Sequence, residues 1–394
     1  MSVFRNLARW LALIVGTIVA LTFGLLELGA HVYALPVLAP FGSLLLNWFA
    51  PWFVVLPLAA ATLIWVGGPR SRRRLRRGLS LLAVAVALVG GIALFRMAAA
   101  AQAYGVPVSV GRSFATHAPL PSAPDHDIVY SSSAGKPLGL VVYTPEPGKL
   151  RGPAPVLLYV HGGGWVEGDR FAGGENMRWF ARQGWLAIAI DYPLSSRQRH
   201  LWSSTTEQVG CAMAWTAANA GRFGGDAKRI SLMGDSAGGN LVLNAGYKAN
   251  AGTLRSACGG AVPRVAAVSA IYPAVHLAEV YRGDFPQISA MARGYADAYV
   301  GGSPERFPER YAHINPASFV HQQAPPTLLI VGENDHLLPA HLTYRFAAEA
   351  TRGGAEVELI RFPYGQHLFD QATNSLGNQL VLGASHKFLQ ARGR

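Results

Sequence analysis

The hydrophobic and polar positions along the chain form two regimes that meet near residue 104. Before it lie three long apolar stretches, at residues 10–28, 41–66 and 79–101. A helix rising 1.5 Å per residue needs about 20 residues to cross roughly 30 Å of hydrocarbon, so each stretch predicts a transmembrane helix. Pro51 and Pro57 interrupt the second. Proline lacks a backbone donor and kinks a helix, which leaves a kinked span or a re-entrant segment; the ample apolar length favours a span. Arg96 near the end of the third stretch can snorkel to the headgroups. The first stretch reads as a retained helix, because Leu28-Gly29-Ala30 is a poor cleavage signal.

Beyond residue 104 the pattern shortens. Pro107, Pro119, Pro121 and Pro124 mark a linker over residues 104–124. Apolar runs at 156–160, 186–190, 230–233, 265–271, 327–331 and 357–362 predict buried strands. Helical spacing at 175–183, 205–220, 239–248, 342–352 and 376–390 separates them. Alternating strands and helices predict a mostly parallel sheet with helices on both faces. Residues 128–130 and 138–143 form a candidate antiparallel edge pair. The long interval 273–326 predicts an inserted cap over the sheet. The expected organisation is a membrane segment at 1–103, a linker at 104–124 and an α/β domain at 125–394.

Composition narrows the class. Hydrophobic residues make up 51% and charged residues 14% of the 394, which excludes intrinsic disorder. The net charge of +12 suggests nucleic acid until its distribution is examined. Residues 1–103 hold nine arginines, no lysine and one glutamate, whereas the rest holds 25 basic and 21 acidic residues. Six arginines cluster at Arg70–Arg77, and no Lys or Arg separates the first two apolar stretches. Positive loops stay cytoplasmic, so the expected protein is integral to a bacterial inner membrane with residues 104–394 in the periplasm. With no basic stripe interleaved with aromatics, no nucleic-acid partner is expected.

Four short segments carry chemistry. Gly234-Asp235-Ser236-Ala237-Gly238 fits a nucleophile elbow, in which a sharp strand-to-helix turn exposes a serine hydroxyl. His161-Gly162-Gly163-Gly164-Trp165 follows a strand, and its glycines can turn N–H groups toward a developing oxyanion. It lacks the Lys-Ser/Thr of a phosphate loop. Asp335 and His367 each follow a strand, at the sheet edge where open α/β sheets place their sites. Asp370 competes with Asp335 as the acid; adjacency of consecutive parallel strands favours Asp335. His336 and His341 read as surface groups or supports, and the histidines show no zinc-ligand spacing, so no metal or other cofactor is expected.

The combination of HGGGW, GDSAGGN, GENDHLLP and GQHLF resembles the α/β-hydrolase superfamily, closest to its hormone-sensitive-lipase-like and carboxylesterase branch. The resemblance covers about residues 125–394. It implies Ser236 as nucleophile, His367 as base, Asp335 as the orienting acid, and the N–H groups of Gly163, Gly164 and Ala237 as oxyanion hole. At Asp191-Tyr192-Pro193-Leu194 proline stands where the family pattern has arginine, and residues 196–202 are basic rather than acidic.

Trp165, Tyr192 and Trp202 are candidates to line an acyl pocket, with packing the expected role of at least one. Cys211 falls on a helix and Cys258 in a glycine-rich loop, and two free thiols are expected. The sequence thus predicts a membrane-anchored serine hydrolase acting on small-molecule or lipid esters, including cell-envelope acyl esters. An amidase or peptidase uses the same triad. A non-catalytic receptor on this fold conflicts with the intact Ser, Asp, His and glycine run, and a lipid-handling role with the scarcity of polar residues in the helices.

Overall fold

The computed structural model describes residues 2–392 except 121, 147, 149–151 and 286–287. Pro121, one of the linker prolines, lies outside the described residues. By contact the chain divides into two compact units. One comprises Met1–Ala118, Gly332–Asp335 and Phe362–Leu380; the other comprises Pro119–Val331, His336–Arg361 and Val381–Arg394.

In the first unit the apolar stretches form α1 (Ser2–His31), α2 (Leu38–Phe49), α3 (Trp52–Thr62, continued to Gly67 by a wider turn) and α4 (Arg73–Ala103). Among the described residues two helices are long and apolar enough to cross a membrane, Val3–His31 and Arg70–Ala103. The second expected span is instead bent by 94° between Leu38–Phe49 and Trp52–Gly67. Pro51 stands at the break, where it has no N–H to continue the ladder of α2. Pro57 lies inside α3 without interrupting it. At one end of the bundle Arg72 lies over Trp10 and Arg76 over Trp65, 6.0 and 5.5 Å from the ring centroids. The arginine loop, the start of α1 and the end of α3 therefore share that end.

In the second unit eight strands form one sheet among the described residues: β1 (His126–Ser133), β2 (Lys136–Tyr143), β3 (Ala154–Val160), β4 (Leu186–Ile190), β5 (Gly225–Asp235), β6 (Val268–Ile271), β7 (Thr327–Gly332) and β8 (Val357–Phe362). Their order is β1-β2-β4-β3-β5-β6-β7-β8. β1 and β2 form the expected antiparallel edge pair, and β4-β3-β5-β6-β7 run parallel. Leu157, Leu158, Ile188, Ile230, Leu232 and Leu329 are fully buried, as central parallel strands covered on both faces require. The connecting helices are α5 (Gly174–Arg182), α6 (Thr205–Asn219) and α7 (Ala237–Asn250); the insertion after β6 holds α8 (Leu277–Arg282), α9 (Ile288–Val300) and α10 (Pro308–Ile314); α11 (Ala340–Arg352) and α12 (Leu376–Arg392) complete the chain order.

Register positions the loops that carry chemistry. Val160 pairs with Gly234 and Asp235 with Ile271, so β3, β5 and β6 end level. The glycine run after Val160 thereby lies beside the turn after Asp235.

The two cysteines are bonded, with Cα atoms 5.4 Å apart, which corrects the expectation of free thiols. The loop after α7 lies along α6, where the Ala257 N–H donates to the Glu207 carbonyl and the Arg255 carbonyl packs against Gly210. That contact brings Cys258 to Cys211, within the span a disulfide bridges.

Candidate active site

Ser236 occupies the turn between β5 and α7 at φ 53°, ψ −116°. A side-chain-bearing residue at positive φ is strained and persists only where its surroundings enforce it. Here its N–H donates to the Ile271 carbonyl at 2.9 Å, and its own carbonyl accepts from Asn240 at 3.0 Å and Ala274 at 3.1 Å. The preceding Asp235 accepts from the buried Tyr159 hydroxyl at 2.5 Å. Both neighbouring strands thus hold the turn that presents the serine.

The glycine loop follows β3. Gly163 and Gly164 stand at φ 101° and 57°, the left-handed region that glycine alone enters freely. A β-carbon on Gly163 would strike the Glu167 backbone, and one on Gly164 the ring of Tyr295. Among the described residues neither glycine donates its N–H to a backbone carbonyl. Tyr192 lies behind the loop, stacked on His161 with ring centroids 4.3 Å apart. Its hydroxyl donates to the carbonyls of His161 and Gly162, each at 3.1 Å. Burial pushes the Tyr192 pKa well up, which keeps that donor protonated; burial pushes His161 down, toward the neutral ring. Asp191 secures the same region by accepting from the N–H groups of Gly139 and Arg170.

A small pocket opens at the serine. Gly164, Trp165, Ser236 and Ala237 form one side; Ala274, Leu277, Val280, Ala292 and Tyr295 of the insertion, with Leu337 and Leu338, form the rest. Trp165 lines this pocket and stacks on Tyr299, with ring centroids 4.4 Å apart. Tyr192 and Trp202 are not among the residues that line this pocket. Tyr192 is spent on the glycine loop. Trp202 packs edge-on against His313 and beneath the Arg310 guanidinium. The expected insertion over the sheet is present, and its contribution is apolar wall.

In the first unit, His367 Nδ1 donates to Asp335 Oδ2 at 2.8 Å. Both side chains are buried, Asp335 being 1% exposed. The adjacency of β7 and β8 brings the two loops together, and Asn334 N–H donates to the Gly365 carbonyl at 2.8 Å. The glycines Gly332 and Gly365 make that approach possible, since a β-carbon on either would overlap the other's backbone. Asp370 is buried at 3% exposure, three residues past His367. His336, read from the sequence as a surface or supporting group, is buried against Phe285. Among the described residues no cluster of His, Cys, Asp or Glu suits a metal ion.

Sequence reasoning missed Tyr159, Tyr295 and the polar residues of α2. A tyrosine in a strand or an insertion carries no local signal. Asn47 did carry one, as a carboxamide within an apolar stretch.

The family model described as BD-FAE matches residues 140–349. The chain is 33% identical to Esterase LipC of Mycobacterium tuberculosis over 226 residues, 55% of this chain and 54% of that protein. It is 29% identical to Esterase LipQ of the same organism over 243 residues, 60% of this chain and 55% of that one. The chain thus spans about half the length of the curated relatives it matches. Among solved structures, the propionate-bound thermophilic esterase Est2 of Thermogutta terrifontis superposes with a TM-score of 0.54 at 22% identity, covering 68% of this chain and 93% of that one. The shared architecture is the α/β-hydrolase fold.

Proposed function

Since the chain belongs to the BD-FAE family, whose model matches more than half of it, we propose that it is a membrane-anchored serine hydrolase that cleaves carboxylic esters. The observation that carries the reading is Ser236, held at positive φ at the head of α7 in a pocket it shares with Gly164 and Ala237. Structure is rarely strained in this way without a use for the residue it holds.

Ser236 Oγ attacks the ester carbonyl while His367 accepts its proton. Asp335 fixes the ring so that Nδ1 carries hydrogen and Nε2 is the basic nitrogen, and it stabilises the imidazolium that forms. The N–H groups of Gly163, Gly164 and Ala237 stabilise the oxyanion; the positive φ of the two glycines and the start of a helix at Ala237 support this. His367 then protonates the leaving alcohol, and water repeats the sequence on the acyl-enzyme. The pocket walls are short aliphatic side chains closed by two aromatic ones, a lining suited to an acyl chain rather than a charged group. Small esters and lipid acyl esters are the proposed substrates.

The anchor is formed by α1 and α4, with the bent pair of α2 and α3 as the remaining span. The six-arginine loop and the start of α1 face the cytoplasm, and the opposite helix ends face the periplasm. The disulfide supports this side, because such bonds persist in oxidising compartments.

The test uses the full chain in detergent or native membranes. A fluorophosphonate probe should label it at Ser236, and Ser236→Ala should abolish labelling and ester turnover in a folded protein. Equal labelling of that variant refutes the assignment.

A further inference from the structure

The loops that carry Asp335 and His367 are built into the same compact unit as the N-terminal helices. Bonds to helix groups flank His367 in sequence and hold the residue before Asp335. On the His367 loop, the Gln366 N–H donates to Asn47 Oδ1 of α2 at 2.9 Å, and the Leu368 carbonyl accepts from Trp48 Nε1 at 2.9 Å. His367 is therefore fixed on both sides by adjacent residues of one helix. Gln366 also returns its side-chain oxygen to the His367 N–H at 2.8 Å. On the Asp335 loop, Asn334 Nδ2 donates to the Ala30 carbonyl of α1 at 2.7 Å and to Ser43 Oγ of α2 at 3.0 Å.

The bracing reaches α4 as well. Asn47 is buried, and its amide also lies 3.7 Å from the Met97 sulfur of α4. Arg96 of α4 donates to the Tyr364 hydroxyl at 2.8 Å, and the His31 ring of α1 packs against the ring of that tyrosine, with centroids 4.8 Å apart. At 1.5 Å per residue α1 and α4 are each about 45 Å long, against roughly 30 Å of hydrocarbon. Anchoring alone uses two-thirds of that length. The surplus carries these contacts.

Resting on the serine-hydrolase reading above, we propose that the helices are a positioning element of the reaction: α2, through Asn47 and Trp48, sets the placement of His367 against Asp335. A misplacement of about 1 Å in such a pair can cost on the order of 100-fold in rate, so the geometry of this helix is felt in turnover.

The test is a double-mutant cycle on the full chain in detergent or nanodiscs, with a p-nitrophenyl ester as substrate. Asn47→Leu removes the acceptor for Gln366 and should lower kcat by about 10–100-fold with KM changed less than about threefold. Asn47→Asp, of the same shape and still an acceptor, should return kcat to within about fivefold of the parent. In an Asp335→Asn background Asn47→Leu should cost less than about threefold more, because the pair it serves is already disabled. Penalties that multiply would show a general structural role and overturn the proposal. Should Asn47→Leu not accumulate folded, Trp48→Phe at the exposed bond answers instead: a kcat loss of about fivefold at constant KM supports the brace, and parental kinetics overturn it. Ser236→Ala run in parallel separates the two readings. If it is inactive while Asn47→Leu and Trp48→Phe behave as parent, only the brace fails; if it retains turnover, the hydrolase reading fails.

Discussion

Opening the Cys211–Cys258 bond should destabilise the second unit by about 4 kcal/mol. The cysteines are 47 residues apart, and cross-linking a loop of that length removes unfolded-chain entropy worth about 4 kcal/mol at 25 °C. Against a typical total of about 5–15 kcal/mol, that is a quarter or more of the stability. Reduction, unlike mutation, leaves the buried Cys211 sulfur in place, so no cavity is added to the entropic term. For a domain of this size each kcal/mol moves Tm by about 2–4 °C, so full reduction should lower it by about 8–16 °C. The ring closed by the bond contains β5, Ser236 and α7, so loss of fluorophosphonate labelling on heating should shift with Tm. The measurement is intrinsic tryptophan fluorescence on heating the detergent-solubilised chain with and without reductant, with Cys211→Ala/Cys258→Ser as control. A Tm unchanged within about 2 °C after complete reduction would refute the entropic reasoning, and alkylation of both thiols before reduction would refute the bond.

Further outcomes follow from individual residues. Asp335→Asn should lose at least ~10³-fold in kcat and Asp370→Asn less than about tenfold, measured on one activated ester; the reverse order would name the other carboxylate. Tyr192→Phe removes the donor behind the glycine loop and should lower kcat/KM by about tenfold with a lower Tm, whereas Trp202→Phe should leave kcat/KM within about twofold. Ala292→Phe fills the pocket from the insertion and should shift preference in a p-nitrophenyl ester series toward shorter acyl chains, detected as a changed ratio of acetate to octanoate turnover. A periplasm-active reporter inserted within Arg70–Arg77 should be inactive, and one placed after α12 active.

Most of the sheet was legible because buried parallel strands announce themselves as unbroken apolar runs. The strands β4 and β8 coincide with the runs at 186–190 and 357–362. The turn at Ser236 and the glycine loop were legible for a different reason: their chemistry needs particular residues in immediate succession. Pairing of Asp335 with His367 needed one inference more, the adjacency of successive strands. What stayed hidden depends on contacts distant in sequence. Nothing near Cys258 announces that its loop lies along α6. Nothing in the sequence around Tyr192 announces its bonds to the carbonyls of His161 and Gly162. The break at Pro51 was visible, but its size was not, because a proline ends a hydrogen-bond ladder without specifying the direction in which the chain departs.

The Asn47–Gln366 bond joins residues 319 positions apart, which bears on biogenesis. At about 5–20 residues per second, the ribosome makes α2 roughly 15–60 s before its partner loop emerges. During that interval the polar groups at the helix ends await their partners, so α2 must hold its place by helix packing alone. The acid–base pair is then among the last parts to be assembled. Nascent chains released early would carry the serine and its pocket without a competent base, and a protein severed near residue 118 after folding would keep its sheet while losing the brace. Hydrolytic competence would in this way report that the whole chain had been inserted, translocated and docked.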